Sequence, residues 1–477
     1  MGVMRFGGKY GSTLAAIALG GLGSMGLSCG SSDPAPFARA PILLVVLDAL
    51  DAGHLRHLGY ERATSPNLDA LAAEGVSFER ALSPAPYTLA GIPSLLTGRL
   101  PDTHQLTRKT RPLRASEVTL AEMLQGAGYK TFGAVSNPNG SSMFGCEQGF
   151  EVYHEPFRAS ADVSREEFQL PDSADYPDLL REWLAATPEG TPGFYYMHLL
   201  EPHSPYDPPE PYRSTFVDPE YRGPMERGAT QVLVDSENGL IELSAADRAA
   251  TIDLYDANVL YADEIFRRLV DALKEAGVYD EAIVIVTSDH GEAFWQHGHW
   301  GHNDFLHEEM LRVPLIVKLP GQGAPRGRVV PGLASTIDVL PSLAAWVGAP
   351  SPSELVEGHA LDGLIAGELR GDRELFLRTN SDVPNVGLRT PDAKTIVLRD
   401  EETRKRVGVE HFDLVRDPGE LAPIADPGEA EEARLVRVME WAYRKWEEQR
   451  AARGEPVQEL SDAAKELLES LGYVDGD

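Results

Sequence analysis

Two stretches of the chain are almost wholly apolar and end on acidic residues. Pro41-Ile42-Leu43-Leu44-Val45-Val46-Leu47 runs into Asp48, and residues 282–287 run through Ser288 into Asp289-His290. Continuous β-branched runs of this length predict strands buried on both faces of a parallel sheet. Helical signals lie between them. Ser65 is a good N-cap, Pro66 suits a first turn, Leu68, Leu71 and Ala72 mark an apolar face, and Gly75 stops it. Residues 118–128 repeat that pattern, 129–135 return to strand, and 255–276 predict a long amphipathic helix through Leu260, Ile265, Leu269 and Leu273. Strands alternating with helices predict an α/β fold, an α/β/α sandwich with a mostly parallel sheet, over residues 41–350. Residues 201–227, rich in Pro, Tyr and acidic side chains, read as an ordered surface loop roofing a site. After Pro341 the texture changes. Short strand-like pieces at 374–377 and 394–398 and a charged helix at 430–448 carrying Trp441 and Trp446 predict a smaller C-terminal α+β subdomain over 351–477.

The first 40 residues follow another logic. Arg5 and Lys9 precede an uncharged stretch, 11–32, whose densest apolar run, 14–19, is far shorter than the roughly 20 residues of a membrane span. Residues 1–29 therefore read as an export leader. Gly26-Leu27-Ser28-Cys29-Gly30 resembles the lipobox of bacterial lipoproteins, which implies a signal removed before a lipidated Cys29, and residues 30–40 read as a flexible tether. The expectation is an exported periplasmic or cell-surface lipoprotein that meets the membrane only through that anchor. With Cys29 spent, Cys146 is the one remaining cysteine, so no disulfide framework is expected and Cys146 reads as a buried small residue.

Hydrophobic residues at 42% and charged residues at 25% describe a folded, soluble body. The 43 Lys and Arg against 74 Asp and Glu give a net charge of −31, which argues against nucleic acid as a partner. An anionic substrate would be repelled by that field unless a metal ion or a cluster of His and Arg reversed its sign locally. Ligands gather beyond the carboxyl ends of parallel strands, and that is where Asp48, Asp289 and His290 fall. Two carboxylates and an imidazole on one edge call for a divalent cation as compensation. Carboxylates suit Ca²⁺ or Mg²⁺, and the imidazole suits Zn²⁺ or Mn²⁺. Asp51 is spaced either for an extra ligand or for a turn. A third element, Pro86 to Arg99, reads as a short helix whose amino end lies near Thr88 to Gly91. Free N–H groups there would hold an anion against the Thr88 hydroxyl, which is placed to attack it.

These segments, taken in order, resemble the sulfatase family of the alkaline phosphatase superfamily. The resemblance rests on Leu44-Val45-Val46-Leu47-Asp48, Thr64-Ser65-Pro66-Asn67-Leu68-Asp69, Leu95-Leu96-Thr97-Gly98-Arg99, Glu201-Pro202-His203-Ser204-Pro205-Tyr206, Ser288-Asp289-His290-Gly291-Glu292, and Gly301-His302 ahead of Leu311-Arg312-Val313-Pro314-Leu315. It implies an alkaline-phosphatase-like sandwich with a small C-terminal subdomain, and a small anionic phosphate or sulfate ester as substrate. It implies Asp48, Asp289, His290 and Thr88 around one metal ion, Thr88 as the nucleophile, and His203 and His302 on either side of the reacting group. Asn137 and Gly91 would touch the anion, and His297 and His299 either line the entrance or are solvated loop residues. Four positions depart from the family pattern. Thr88 stands where sulfatases carry a Cys or Ser that becomes formylglycine, a conversion threonine cannot undergo. Ala90, Gly91 and Ile92 replace the usual Pro-Ser-Arg, Ala49 replaces a second metal-binding Asp, and Val135-Ser136-Asn137 replaces Lys-Trp-His. Relatives with threonine at this place act on phosphate esters or transfer phospho-groups. The departures leave two further readings, a non-catalytic metal- and anion-binding lipoprotein and a sulfuric ester hydrolase that works without formylglycine.

Overall fold

The computed structural model describes residues 35–109, 111–159, 173–226, 230–321, 323–352, 356–368, 372–381, 383–400 and 402–452. The leader, Cys29 and most of the tether expected from the sequence lie outside the described residues. The described residues form one compact unit.

The strands of its first part are β1 (Ile42–Leu47), β2 (Val76–Leu82), β3 (Lys130–Val135), β4 (Val152–His154), β5 (Gly193–Leu199) and β6 (Ile283–Thr287). A two-stranded ribbon of β7 (Ala293–Phe294) and β8 (Trp300–Gly301) follows, then β9 (Arg312–Val313), β10 (Leu315–Lys318) and β11 (Arg328–Ser335). Nine of them form the central sheet, ordered β11-β2-β10-β6-β1-β5-β3-β4 with β9 paired to β2. The sheet is parallel except where β10 runs antiparallel between β2 and β6 and β9 antiparallel to β2.

Strand β1 lies near the middle and is buried along its whole length, as its unbroken apolar sequence requires. Its side chains alternate between two layers. Ile42, Leu44 and Val46 pack with the helices Thr88–Thr97, Leu120–Gly126 and Val339–Val347. Leu43, Val45 and Leu47 pack with Pro66–Glu74, Tyr176–Ala186 and Ala245–Glu275. This is the α/β/α sandwich expected. The long helix begins ten residues before the predicted 255, at a capping box between Ser244 and Asp247. Its first turn is exposed or only partly buried, so no apolar stripe advertises it.

Beyond the sheet, β12 (Leu375–Arg378), β13 (Val386–Arg389), β14 (Ala393–Arg399) and β15 (Arg406–Asp413) make a four-stranded antiparallel sheet. The helix Glu429–Ala452 covers it, with Val438 and Trp441 buried and Trp441 stacked on Phe376 at 4.7 Å between ring centroids. The stretch after β5 is more than surface loop, since Tyr206 and Met225 are fully buried. Cys146 is free and buried, and burial pushes its thiol up. No helix among the described residues is long and apolar enough to cross a membrane.

Candidate active site

Strands β1 and β6 are parallel neighbours with Val46 opposite Thr287, so the residues just past them emerge on one edge. Asp48, Asp289 and His290 are fully buried there, each offering one ligand-type atom within 4.8 Å of the others. His290 Nδ1 lies 2.8 Å from the Gly291 carbonyl and donates to it. The lone pair of the neutral ring is thereby on Nε2, 3.7 Å from Asp48 Oδ1 and 3.5 Å from Asp289 Oδ2. Those two carboxylate oxygens are buried and have no hydrogen-bond partner. Burial holds His290 below its ordinary value despite Asp289, so the ring is neutral and suited to ligation. Burial would raise Asp48, but His203 and the hydrogen bond from His198 keep its carboxyl below the usual carboxylate range. Two orphaned anionic oxygens facing an imidazole lone pair fit a divalent cation, the chemistry that the three residue types provide.

Thr88 opens the helix Thr88–Thr97, behind an extended Tyr87 whose side chain does not cap it. Its Oγ1 is 3.2 Å from His290 Nε2 and 3.3 Å from Asn137 Nδ2. Asn137 follows β3, and its Oδ1 accepts from the Asn139 N–H at 2.9 Å, which turns the amide nitrogen toward Asp48 Oδ2 at 2.7 Å. Asn137 is fully buried and holds Asp48 and Thr88 together. Gly91 differs from expectation. Its N–H is donated to the Tyr87 carbonyl inside the helix, so it is not free for an anion. A Cβ at Gly91 would sit 2.3 Å from the Asp289 carbonyl oxygen, so the missing side chain lets the helix approach the strand end. Ala49, at φ 60°, donates its N–H to Asp289 Oδ1 at 3.2 Å. Asp51 serves a turn, accepting from the Gly53 N–H at 2.8 Å, and burial pushes its carboxyl up to about 6.

Thr88 forms part of the lining of a cavity of about 810 Å³. His203 and His302 line it as well, their rings 5.2 Å apart, and His302 lies 4.2 Å from the His290 ring. His203 Nδ1 donates to the Ser204 carbonyl at 2.6 Å. His302 Nδ1 is 3.0 Å from Glu292 Oε1. Burial would lower His302, but the Glu292 carboxylate outweighs it and lifts the ring above its ordinary value. His299 lines the same cavity, stacked on Phe305 at 4.1 Å. His297 does not. It sits between Glu309 Oε1 at 2.7 Å and the Glu420 carbonyl at 3.1 Å.

Four residues near the site escape a reading of the sequence. His198 lies inside the apolar run of β5, its Nε2 3.1 Å from Asp48 Oδ2. Glu292 stands two places past His290, and its partnership with His302 depends on the turn through β7 and β8. Arg108 and Lys109 put positive charge on the cavity wall in a chain of −31 overall. Glu292 alone left a signal, as the last residue of Ser288-Asp289-His290-Gly291-Glu292.

A profile of the sulfatase family matches residues 41–349. The multifunctional alkaline phosphatase superfamily protein PehA of Trinickia caryophylli is 25% identical over 84% of this chain and 93% of its own length. Human arylsulfatase A is 27% identical over 71% of this chain and 70% of its own. Among solved structures, the phosphonate monoester hydrolase of Agrobacterium radiobacter superposes with a TM-score of 0.65 at 22% identity, covering 85% of this chain and 95% of that one. With the fold and the family profile in agreement, this chain belongs to the sulfatase family, within the alkaline phosphatase superfamily.

Proposed function

We propose that the protein is a metal-dependent hydrolase of small anionic esters, phosphate esters ahead of sulfate esters, acting through a covalent ester on Thr88. The observation that carries this reading is the Thr88 hydroxyl on a cavity wall, 3.2 Å from His290 Nε2 and next to the orphaned oxygens of Asp48 and Asp289. Asp48, Asp289 and His290 would hold the cation, whose chemistry is to favour the ionised hydroxyl and neutralise the anion's charge. The Thr88 hydroxyl releases its proton to solvent as its oxygen attacks phosphorus, a bond forms between them, and the bond from phosphorus to the alcohol oxygen breaks; the Thr88 oxygen takes a proton back from solvent when its ester is cleaved. His302, oriented through Nδ1 by Glu292, gives the departing alcohol its proton and then takes one from the water that cleaves the Thr88 ester. Asn137 keeps Thr88 and Asp48 in register throughout. A threonine sulfate has no second hydroxyl through which to expel sulfate by elimination, and that puts phosphate first.

The experiment is a panel of aryl phosphate monoesters, phosphodiesters and aryl sulfates, each with Mg²⁺, Ca²⁺, Mn²⁺ and Zn²⁺. Thr88→Ala should lose on the order of 10³-fold or more in kcat while binding metal as before. Unchanged turnover removes Thr88 from the mechanism, and silence of the wild type across the panel with metal bound leaves a metal- and anion-binding protein.

A further inference from the structure

We infer that His198 is a positioning residue that makes Asp48 a one-oxygen ligand for the cation. This rests on the metal site of the reading above. His198 is the penultimate residue of β5, placed beside Val46 of β1 and Val135 of β3 by the strand register, and it is fully buried. Its Nε2 is 3.1 Å from Asp48 Oδ2, while its Nδ1 is buried without a partner. The Asp48 carboxylate only accepts, so Nε2 carries the hydrogen and donates it to Asp48.

Asp48 Oδ2 then accepts two hydrogen bonds, from His198 and, at 2.7 Å, from Asn137 Nδ2. Asp48 Oδ1 accepts none. The two donors fix the plane of the carboxylate and leave one oxygen aimed toward His290 Nε2 and the neighbouring Asp289 Oδ2. The turn that delivers Asn137 also makes room for the ring. Pro138–Gly140 is a single helical turn, and a Cβ on Gly140 would come within 3.1 Å of His198 Nδ1. Groups that orient a ligand in this way commonly account for 10- to 100-fold in metal affinity.

The test is Mn²⁺ affinity, measured by paramagnetic resonance titration on the wild type, His198→Gln and His198→Leu, with thermal melts in chelator to report folding. Gln can place its amide nitrogen near the site of Nε2 and should stay within about threefold of the wild type, whereas Leu should weaken binding by about 10- to 100-fold. Leu binding as tightly as the wild type, or Gln binding as weakly as Leu, overturns the assignment. If His198→Leu does not fold, His198→Met fills the same space with an unbranched apolar side chain and no donor, and affinity unchanged in that variant counts against His198 equally. A wild type that binds no Mn²⁺ or Zn²⁺ takes down the cation site itself, a different failure from a wild type that binds and a Leu variant that matches it.

Discussion

Two buried ionic clusters lie at opposite ends of the segment from Ser288 to Val313, and they are built on opposite principles. At the seam with the C-terminal sheet, Glu308 and Glu420 meet Lys394 and Arg389, two acids against two bases. Lys394 Nζ is 2.8 Å from Glu308 Oε1, 2.7 Å from Glu420 Oε1 and donates to the Leu306 carbonyl at 2.8 Å, while Arg389 Nε reaches Glu308 at 3.1 Å. Burial alone would raise the Glu308 carboxyl, yet Lys394 and Arg389 hold it far below the usual range. At the other end, Asp48 and Asp289 share a neutral imidazole, and one oxygen of each is unpartnered. Charge balanced from within locks two parts of a fold together. Charge left unbalanced costs several kcal/mol and marks a place where a ligand supplies the difference.

Each cluster can be broken in its own way. Lys394→Met strands the buried Glu420 carboxylate, leaves Glu308 to Arg389 alone, and should cost about 3–5 kcal/mol of stability in urea unfolding. A loss below about 1 kcal/mol would mean the seam does not depend on that charge. Asp289→Asn should act in the opposite sense. It keeps an Oδ1 acceptor for the Ala49 N–H but removes uncompensated charge, so metal affinity should collapse while the chelator-treated protein gains about 1 kcal/mol. A destabilised apoprotein would show that the cluster is already balanced without a cation. The smallest effect belongs to His297, whose two ring nitrogens both face acceptors and therefore both carry hydrogen. Burial would lower this ring, but Glu309 and the Glu420 carbonyl raise it above 6.5. A value raised in the fold means stabilisation that is complete below the unfolded value and lost as pH climbs through the folded one. The wild type should therefore lose more melting temperature than His297→Gln as pH rises above 6.5, and parallel profiles would contradict this.

The same contrast explains what the sequence could and could not disclose. Strands β1 and β6 are legible because burial on both faces forces unbroken apolar runs, and Asp48, Asp289 and His290 are legible because they follow those runs directly. The antiparallel insertion of β10 is not, since a four-residue apolar strand reads alike in either direction. Strand β13 leaves little trace because it is four residues long, and the edge strand β15 because it is largely half-buried or exposed. Among the site residues, Gly91 fell where an anion contact was expected and turned out to be a contact between helix and strand. His198 escaped because an imidazole in an apolar strand gives no sign of its partner until β5 pairs with β1. The Glu292–His302 pair likewise appears only when β7 and β8 fold back on each other.

A covalent ester on Thr88 can be observed directly. The enzyme is mixed with its fastest phosphate ester, quenched in acid within the first turnover, digested and examined by mass spectrometry. A phospho-group is expected on the peptide containing Thr88, formed and lost at rates that match turnover. A phospho-group on any other residue, or steady turnover with no adduct on Thr88 at any quench time, would contradict it.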